Sequence, residues 1–223
     1  KLSRWKASIL SFGGRLTLCK SVLGSLGSYY FSLYKAPSKV LKSLERTRMN
    51  FFWGGSLEAS KMAWVAWEKI LASKERGGLG IGSLKAQNLA LMGKWWWRFR
   101  TQQDNIWAMV IQAIHGSEGG VARPKAVRRK SSCWGSIACL PSFLDKDQVP
   151  FLSFFQSSLN LDGSFKWLWS LDHSGVYTVS SLRKHIDNRS LPYSNAGWKW
   201  NPLVPGKVNI LAWRVSHCRL PCM

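Results

Sequence analysis

Apolar residues recur along this chain mostly at helical spacing. Leu16, Cys19, Leu23 and Leu26 fall on one face of a segment read as helical over 15–26, with Arg15 and Lys20 off that face. A shorter helical segment is read at 4–10, and Phe12-Gly13-Gly14 is expected to separate the two. The apolar run Tyr29–Tyr34 leads to Pro37, a favourable first helical residue. Val40, Leu44, Arg48 and Phe51 then line up at i, i+4, i+8 and i+11, until Gly54-Gly55 ends that helix.

Residues 63–67 (Ala-Trp-Val-Ala-Trp) read as a strand before a short helix near 67–73. The run Gly77-Gly78-Leu79-Gly80-Ile81-Gly82 reads as a turn into an extended piece, and Ser83 as the cap of a helix to about Arg100. A further helix is predicted near 105–115. Phe165, Trp167, Trp169 and Leu171 alternate like a strand, with Asp172-His173-Ser174-Gly175 turning it into Val176–Val179. Ser180 or Ser181 is expected to cap a helix to about Asp187, and 207–217 reads as the last helix. The resulting fold class is mainly α with a small β-hairpin: a helical, thumb-like front and a hairpin-plus-helix rear module.

Between these parts, residues 116–132 hold Gly116, Gly119, Gly120, Pro124 and the basic run Arg128-Arg129-Lys130. A linker is expected there, dividing a front region (1–115) from a rear module (133–223).

Charge changes the picture more than length does. The 223 residues carry 32 Lys+Arg against 11 Asp+Glu, a net charge of +21. Residues 1–100 hold 18 basic and 4 acidic side chains, so the front is at +14. An excess of this size implies a polyanionic partner. With 46% apolar and only 19% charged residues, a disordered tail is excluded. No run approaches the length of a membrane span, so no membrane partner is expected. Five cysteines without framework spacing read as free thiols in a reducing, intracellular setting, nuclear or cytoplasmic.

Few candidate chemistries survive inspection. Two-metal catalysis needs clustered carboxylates, and the closest pair, Asp145 and Asp147, flanks a lysine in what reads as a solvated loop. No catalytic residue is therefore assigned. The glycine run lacks the Gly-Lys-Ser/Thr ending of a phosphate loop and reads as a backbone turn. His217, Cys218 and Cys222 are at most three zinc ligands where a structural site wants four, so no metal residue is assigned.

Lys94-Trp95-Trp96-Trp97-Arg98 is the densest aromatic–cation block. Three successive Trp on a helix span about 200° of its circumference and cannot all face one side. Either the block is core with one half-buried ring, or its outer face stacks on bases with Lys94 and Arg98 on phosphates. Lys6, Arg15 and Lys20 form a second candidate patch for nucleic acid, against the alternative of a solvated charged face.

An ordered series of short motifs adds a resemblance. It comprises Leu2-Ser3-Arg4-Trp5-Lys6, Leu10–Arg15, Tyr30-Phe31-Ser32 before Ala36-Pro37, Phe51-Phe52-Trp53-Gly54 and Trp64–Trp67. It continues through Gly77–Ile81, Asn88–Leu91 into Lys94-Trp95, Ser174–Val179, Trp198, Val204–Val208, Trp213-Arg214 and Arg219-Leu220-Pro221. In this series the chain resembles the C-terminal part of reverse transcriptases from plant non-LTR retrotransposons of the long interspersed element type.

The resemblance implies that the parent activity is RNA-directed DNA synthesis. It also implies that the catalytic aromatic-x-Asp-Asp turn precedes Lys1, and that the zinc-binding Cys/His box follows the Arg-Leu-Pro element. Magnesium is then expected only for the palm that carries that turn and zinc only for the downstream box, with no cofactor in this chain. Residues Leu2–Arg15 are similar to the start of the thumb that packs against a template–primer duplex. The expected partner is RNA or an RNA–DNA duplex, gripped without catalysis. The alternative is a decayed element copy or an interaction domain with only non-specific affinity for polyanions. The first residue, Lys1, and the closing Leu220-Pro221-Cys222-Met223 suggest a piece of a longer protein.

Overall fold

The computed structural model describes residues 10–55, 62–120, Val127, 133–159, 165–193, 200–201 and 203–218. The fold is mostly helical with one small antiparallel sheet. In chain order the elements are α1 (Phe12–Ser21), α2 (Ser28–Leu33), α3 (Ser38–Phe52), α4 (Trp67–Leu71), α5 (Leu84–Thr101) and α6 (Ile106–His115). They continue with α7 (Cys133–Ala138), α8 (Leu140–Lys146), β1 (Phe155–Leu159), β2 (Phe165–Trp169), α9 (Val179–Ser190) and α10 (Gly206–Ser216). Short 3-10 turns lie at Lys74–Arg76 and Phe151–Phe154.

The chain forms two compact units from interleaved segments. The first comprises Lys1–Gly27, Pro37–Leu84 and Asp187–Met223; the second comprises Ser28–Ala36 and Lys85–Ile186. Compactness thus groups the chain differently from the 1–115 and 133–223 parts expected from sequence. Most of the expected linker at 116–132 lies outside the described residues, as does the helix read at 4–10.

In the first unit, Cys19, Phe52, Ile70, Leu79, Ile81 and Trp213 form the dry centre. Ser11 caps α1, its hydroxyl accepting from the Gly14 amide at 3.2 Å. Gly13 and Gly14 therefore sit inside the helix instead of splitting it from a preceding one. A Cβ at Gly13 would lie 3.5 Å from the Lys207 amide, ordinary van der Waals contact, so α10 passes close beside α1 there. The strand read at 63–67 is not formed. Val65 and Trp67 are buried, but Trp67 starts α4, and its indole N–H donates to Glu45 at 2.9 Å.

In the second unit, α5 is the central element. Trp96, Phe99, Leu140, Leu144, Phe151, Trp169 and Leu182 are almost wholly buried around it. Strand β1 pairs with β2 antiparallel, Phe155 opposite Trp169 and Leu159 opposite Phe165. The hairpin thus uses a partner upstream of β2, whereas the sequence reading placed it downstream at 176–179. Asp172–Gly175 is the expected turn, but it leads into α9. Exposure along β2 falls from Phe165 (74%) to Trp169 (0%) instead of alternating, because only the Trp169 end meets the core. Helices α7 and α8 have no counterpart in the sequence reading. Their short apolar runs, Trp134–Ala138 and Leu140–Leu144, are too brief to show a helical period.

Candidate nucleic-acid interface

The residues expected to meet nucleic acid divide between the two units. Lys6 lies outside the described residues. Arg15 and Lys20 are both on α1 but face different ways. Arg15 points inward and is 9% exposed, its guanidinium 4.4 Å from the centre of the Phe12 ring. Burial lowers its proton affinity. This is a correction to the sequence reading, which treated Arg15 as lying off the buried face: Arg15 and Cys19, four residues apart, share the side packed toward α3. The Cys19 thiol donates to the Arg48 carbonyl at 3.8 Å, and burial pushes its pKa up to about 12.

Lys20 is exposed as a residue, but its ammonium lies 3.6 Å from the position a Cβ would take at Gly80. Desolvation there, with the charge of Lys74 second, lowers its pKa. Lys74 in turn rests its ammonium 4.6 Å from the Trp200 ring. The sequence reading missed Lys74, which is 54 residues from Lys20 and is brought to it only by the glycine-rich turn.

That turn is structural. Gly77, Gly80 and Gly82 adopt φ of 78°, 67° and 73°. The amides of Leu79, Gly80 and Gly82 donate to Ile70, Ala72 and Leu71 at 2.7–3.1 Å, so they are already used within the unit. The Gly77 carbonyl accepts from the Trp213 indole at 2.7 Å.

Glu45 is the other polar centre of this unit. One Arg48 nitrogen donates to both its oxygens at 3.1 Å, Trp67 donates at 2.9 Å and the Leu84 amide at 2.7 Å. Arg48 also donates to the Gly82 carbonyl at 3.3 Å. The i, i+3 spacing of Glu45 and Arg48 was available in the sequence as the signal.

In the second unit, Lys94 and Arg98 stand one turn apart on α5. Lys94 is exposed. Arg98 is half-buried, donates to Gln102 at 3.1 Å and lies 5.2 Å from the Trp95 ring. The three tryptophans are packing residues. Trp96 is 1% exposed, with its indole N–H donating to the Ile137 carbonyl at 2.6 Å. Trp95 meets Trp107 edge-on at 5.6 Å, and Trp97 lies parallel to Tyr177 at 6.3 Å. They fit one core despite spanning about 200° of the helix because α6, α7, the hairpin and Tyr177 surround α5.

Over 142 residues the chain is 37% identical to a protein of Arabidopsis thaliana that carries the provisional name ribonuclease H protein. That match covers 62% of this chain and 23% of the relative. Over 114 residues it is 28% identical to an uncharacterized mitochondrial protein of the same plant, covering 51% of this chain and 74% of the relative. The chain is similar to plant proteins. It spans about a quarter of the first relative's length and about three quarters of the second's. No family profile and no solved structure matches it.

Among the described residues, no three His, Cys, Asp or Glu side chains converge to hold a metal ion. Of the tail residues weighed for zinc, Cys222 lies outside the described residues. The His217 ring packs 4.6 Å from Trp213, with Nδ1 2.9 Å from the Trp213 carbonyl, and Cys218 is exposed. Two described candidates do not make the four-ligand set of a structural zinc site. No helix among the described residues is long and apolar enough to cross a membrane.

Proposed function

We propose that the chain is a non-catalytic part of a retroelement RNA-directed DNA polymerase and binds RNA or an RNA–DNA duplex by charge, without sequence preference. The observation that carries the reading is the +14 net charge of residues 1–100, found with the ordered motif series of plant non-LTR reverse transcriptases. Similarity to a plant protein bearing a ribonuclease H name supports a role beside nucleic acid. Lys20, with Lys74, and Lys94 are exposed cations suited to phosphate contact, and Arg98 stands a turn from Lys94. The tryptophans hold α5 in place and are not assigned to base stacking.

The test compares two charge-removing doubles in the whole chain. Lys20→Gln with Lys94→Gln should weaken binding to unrelated duplexes alike, by about tenfold at low salt. Lys166→Gln with Lys184→Gln, two exposed lysines outside the assigned set, should change binding less than threefold. Equal losses from the two doubles would leave only general polyanion attraction.

A further inference from the structure

Tyr29 and Tyr30 of α2 hold their rings out to solvent, 72% and 68% exposed. One exposed aromatic ring is ordinary; two adjacent ones on a firmly held helix are not. A helix of six residues is too short to persist alone, and α2 is fastened to α5 instead. Asn88 of α5 is 1% exposed, and its amide donates to the Phe31 and Tyr34 carbonyls at 2.7 and 2.8 Å. Its oxygen accepts from the Ala36 amide at 2.9 Å. Gln87 donates to the Ser28 hydroxyl at 3.4 Å, and Phe31 is buried. With α2 fixed at both ends, the two tyrosines stand on a rigid mount. Their rings meet edge-on, 5.6 Å between centres and 83° between planes, so at most one face of one ring is covered by the other.

The charge beside them has one sign. Gln87, Leu91, Lys94 and Arg98 follow at i, i+4, i+7 and i+11 on α5, a stripe within about 60° of the helix circumference. The stripe begins where Gln87 meets α2, and reaches Lys94 about 10 Å and Arg98 about 16 Å further along the axis. Residues 28–36 and 84–101 carry Lys35, Lys85, Lys94, Arg98 and Arg100 and no acidic side chain. Lys85 and Arg100 are paired with Asp147 and Glu118, whereas neither Lys94 nor Arg98 is in an ion pair among the described residues. Open aromatic faces next to unpaired cations match a polyanionic chain that carries flat rings. A single strand offers its base faces in this way, while a duplex keeps them inside the stack.

We propose that Tyr29 and Tyr30 form a stacking site for unpaired bases, with Lys94 and then Arg98 on the phosphates of the same strand. The site goes beyond the charge-only grip on a duplex, and rests on the reading above only in taking nucleic acid as the partner.

The experiment measures binding of the whole chain to three probes: an unstructured RNA strand of about 12 nucleotides, an abasic strand of equal length, and a blunt RNA–DNA duplex. Tyr29→Ala with Tyr30→Ala should weaken binding to the RNA strand about tenfold, and to the abasic strand and the duplex less than about twofold. Either alanine change alone should cost about threefold on the RNA strand, which covers the case in which the double fails to fold. Tyr29→Phe with Tyr30→Phe should bind like the parent, since the ring and not the hydroxyl does the stacking. Lys94→Gln should weaken all three probes.

Parent-like affinity for the RNA strand in the alanine variants overturns the site. So does an equal loss on the abasic strand, or a loss in the phenylalanine double as large as in the alanine double. A parent dimer that the alanine double turns into a monomer, with RNA affinity unchanged, would assign the face to a second copy and overturn it too. Tyrosine-dependent strand binding in a chain that binds no duplex would keep the stacking site and refute the duplex grip. Duplex binding with no tyrosine dependence on the strand would do the reverse.

Discussion

Gly93 is what allows Tyr177 to reach α5. The Tyr177 hydroxyl donates to the Ala90 carbonyl at 2.5 Å, and a Cβ at Gly93 would lie 2.6 Å from the Tyr177 hydroxyl oxygen and 3.0 Å from Leu182. Burial holds the phenol well above its ordinary pKa, so it remains a donor. The contact joins the end of the turn after β2 to the middle of the tryptophan helix.

Gly93→Ala consequently has a sign that separates two views. Helix propensity alone predicts about 1 kcal/mol of stabilisation. The overlap with Tyr177 predicts about 1–3 kcal/mol of destabilisation. Denaturant unfolding reads the difference. Tyr177→Phe, which removes the clashing oxygen, should recover part of the loss in the double variant. A stabilised Gly93→Ala would refute the packing described here.

Glu45→Ala should be among the most damaging single changes in the first unit. It leaves Arg48, whose side chain is 3% exposed, without its carboxylate, and strips acceptors from Trp67 and the Leu84 amide. The expected cost is about 3–5 kcal/mol by chemical denaturation. Adding Arg48→Met should restore part of it. A loss below about 1 kcal/mol would mean that the network is not formed in solution.

The turn after β2 should be acid-sensitive. Asp172 accepts from the Ser174 amide at 3.1 Å, the Ser174 hydroxyl at 2.8 Å and the Thr178 hydroxyl at 3.0 Å, and these bonds hold its pKa below the ordinary 3.8. A depressed carboxylate pKa contributes stability that is fully present above the unfolded value and is lost as pH falls through the folded one. Amide protection around Ser174 should therefore decline only below about pH 4, with the Asp172 carboxyl titrating below 3.8 by NMR. Titration at or above 3.8 would contradict the geometry.

Long periodic segments were legible in the sequence because their signal is local. The helices expected at 83–100, 105–115 and 207–217 are found at Leu84–Thr101, Ile106–His115 and Gly206–Ser216. The glycine-rich turn was legible for the same reason, since positive φ at Gly77, Gly80 and Gly82 is a local demand. What failed depended on distant partners. Phe155–Leu159 carries no strand alternation of its own and pairs only because Phe165–Trp169 returns beside it.

The candidate site divides in the same way. Net charge pointed to a basic front, but helical periodicity placed Arg15 off the buried face, since an arginine is expected outside. The approach of Lys74 to Lys20 joins residues 54 positions apart. No spacing along the chain carries that information.

The central claim is that this chain binds duplex nucleic acid through its phosphates. The direct measurement is the equilibrium constant of the whole chain for two RNA–DNA duplexes of unrelated sequence, from about 50 to 200 mM salt. If about five basic side chains reach phosphates, both plots of log K against log[salt] should fall in parallel, with slopes of about −4 to −5. A slope near zero, or a preference for one duplex that persists across the series, would contradict the account.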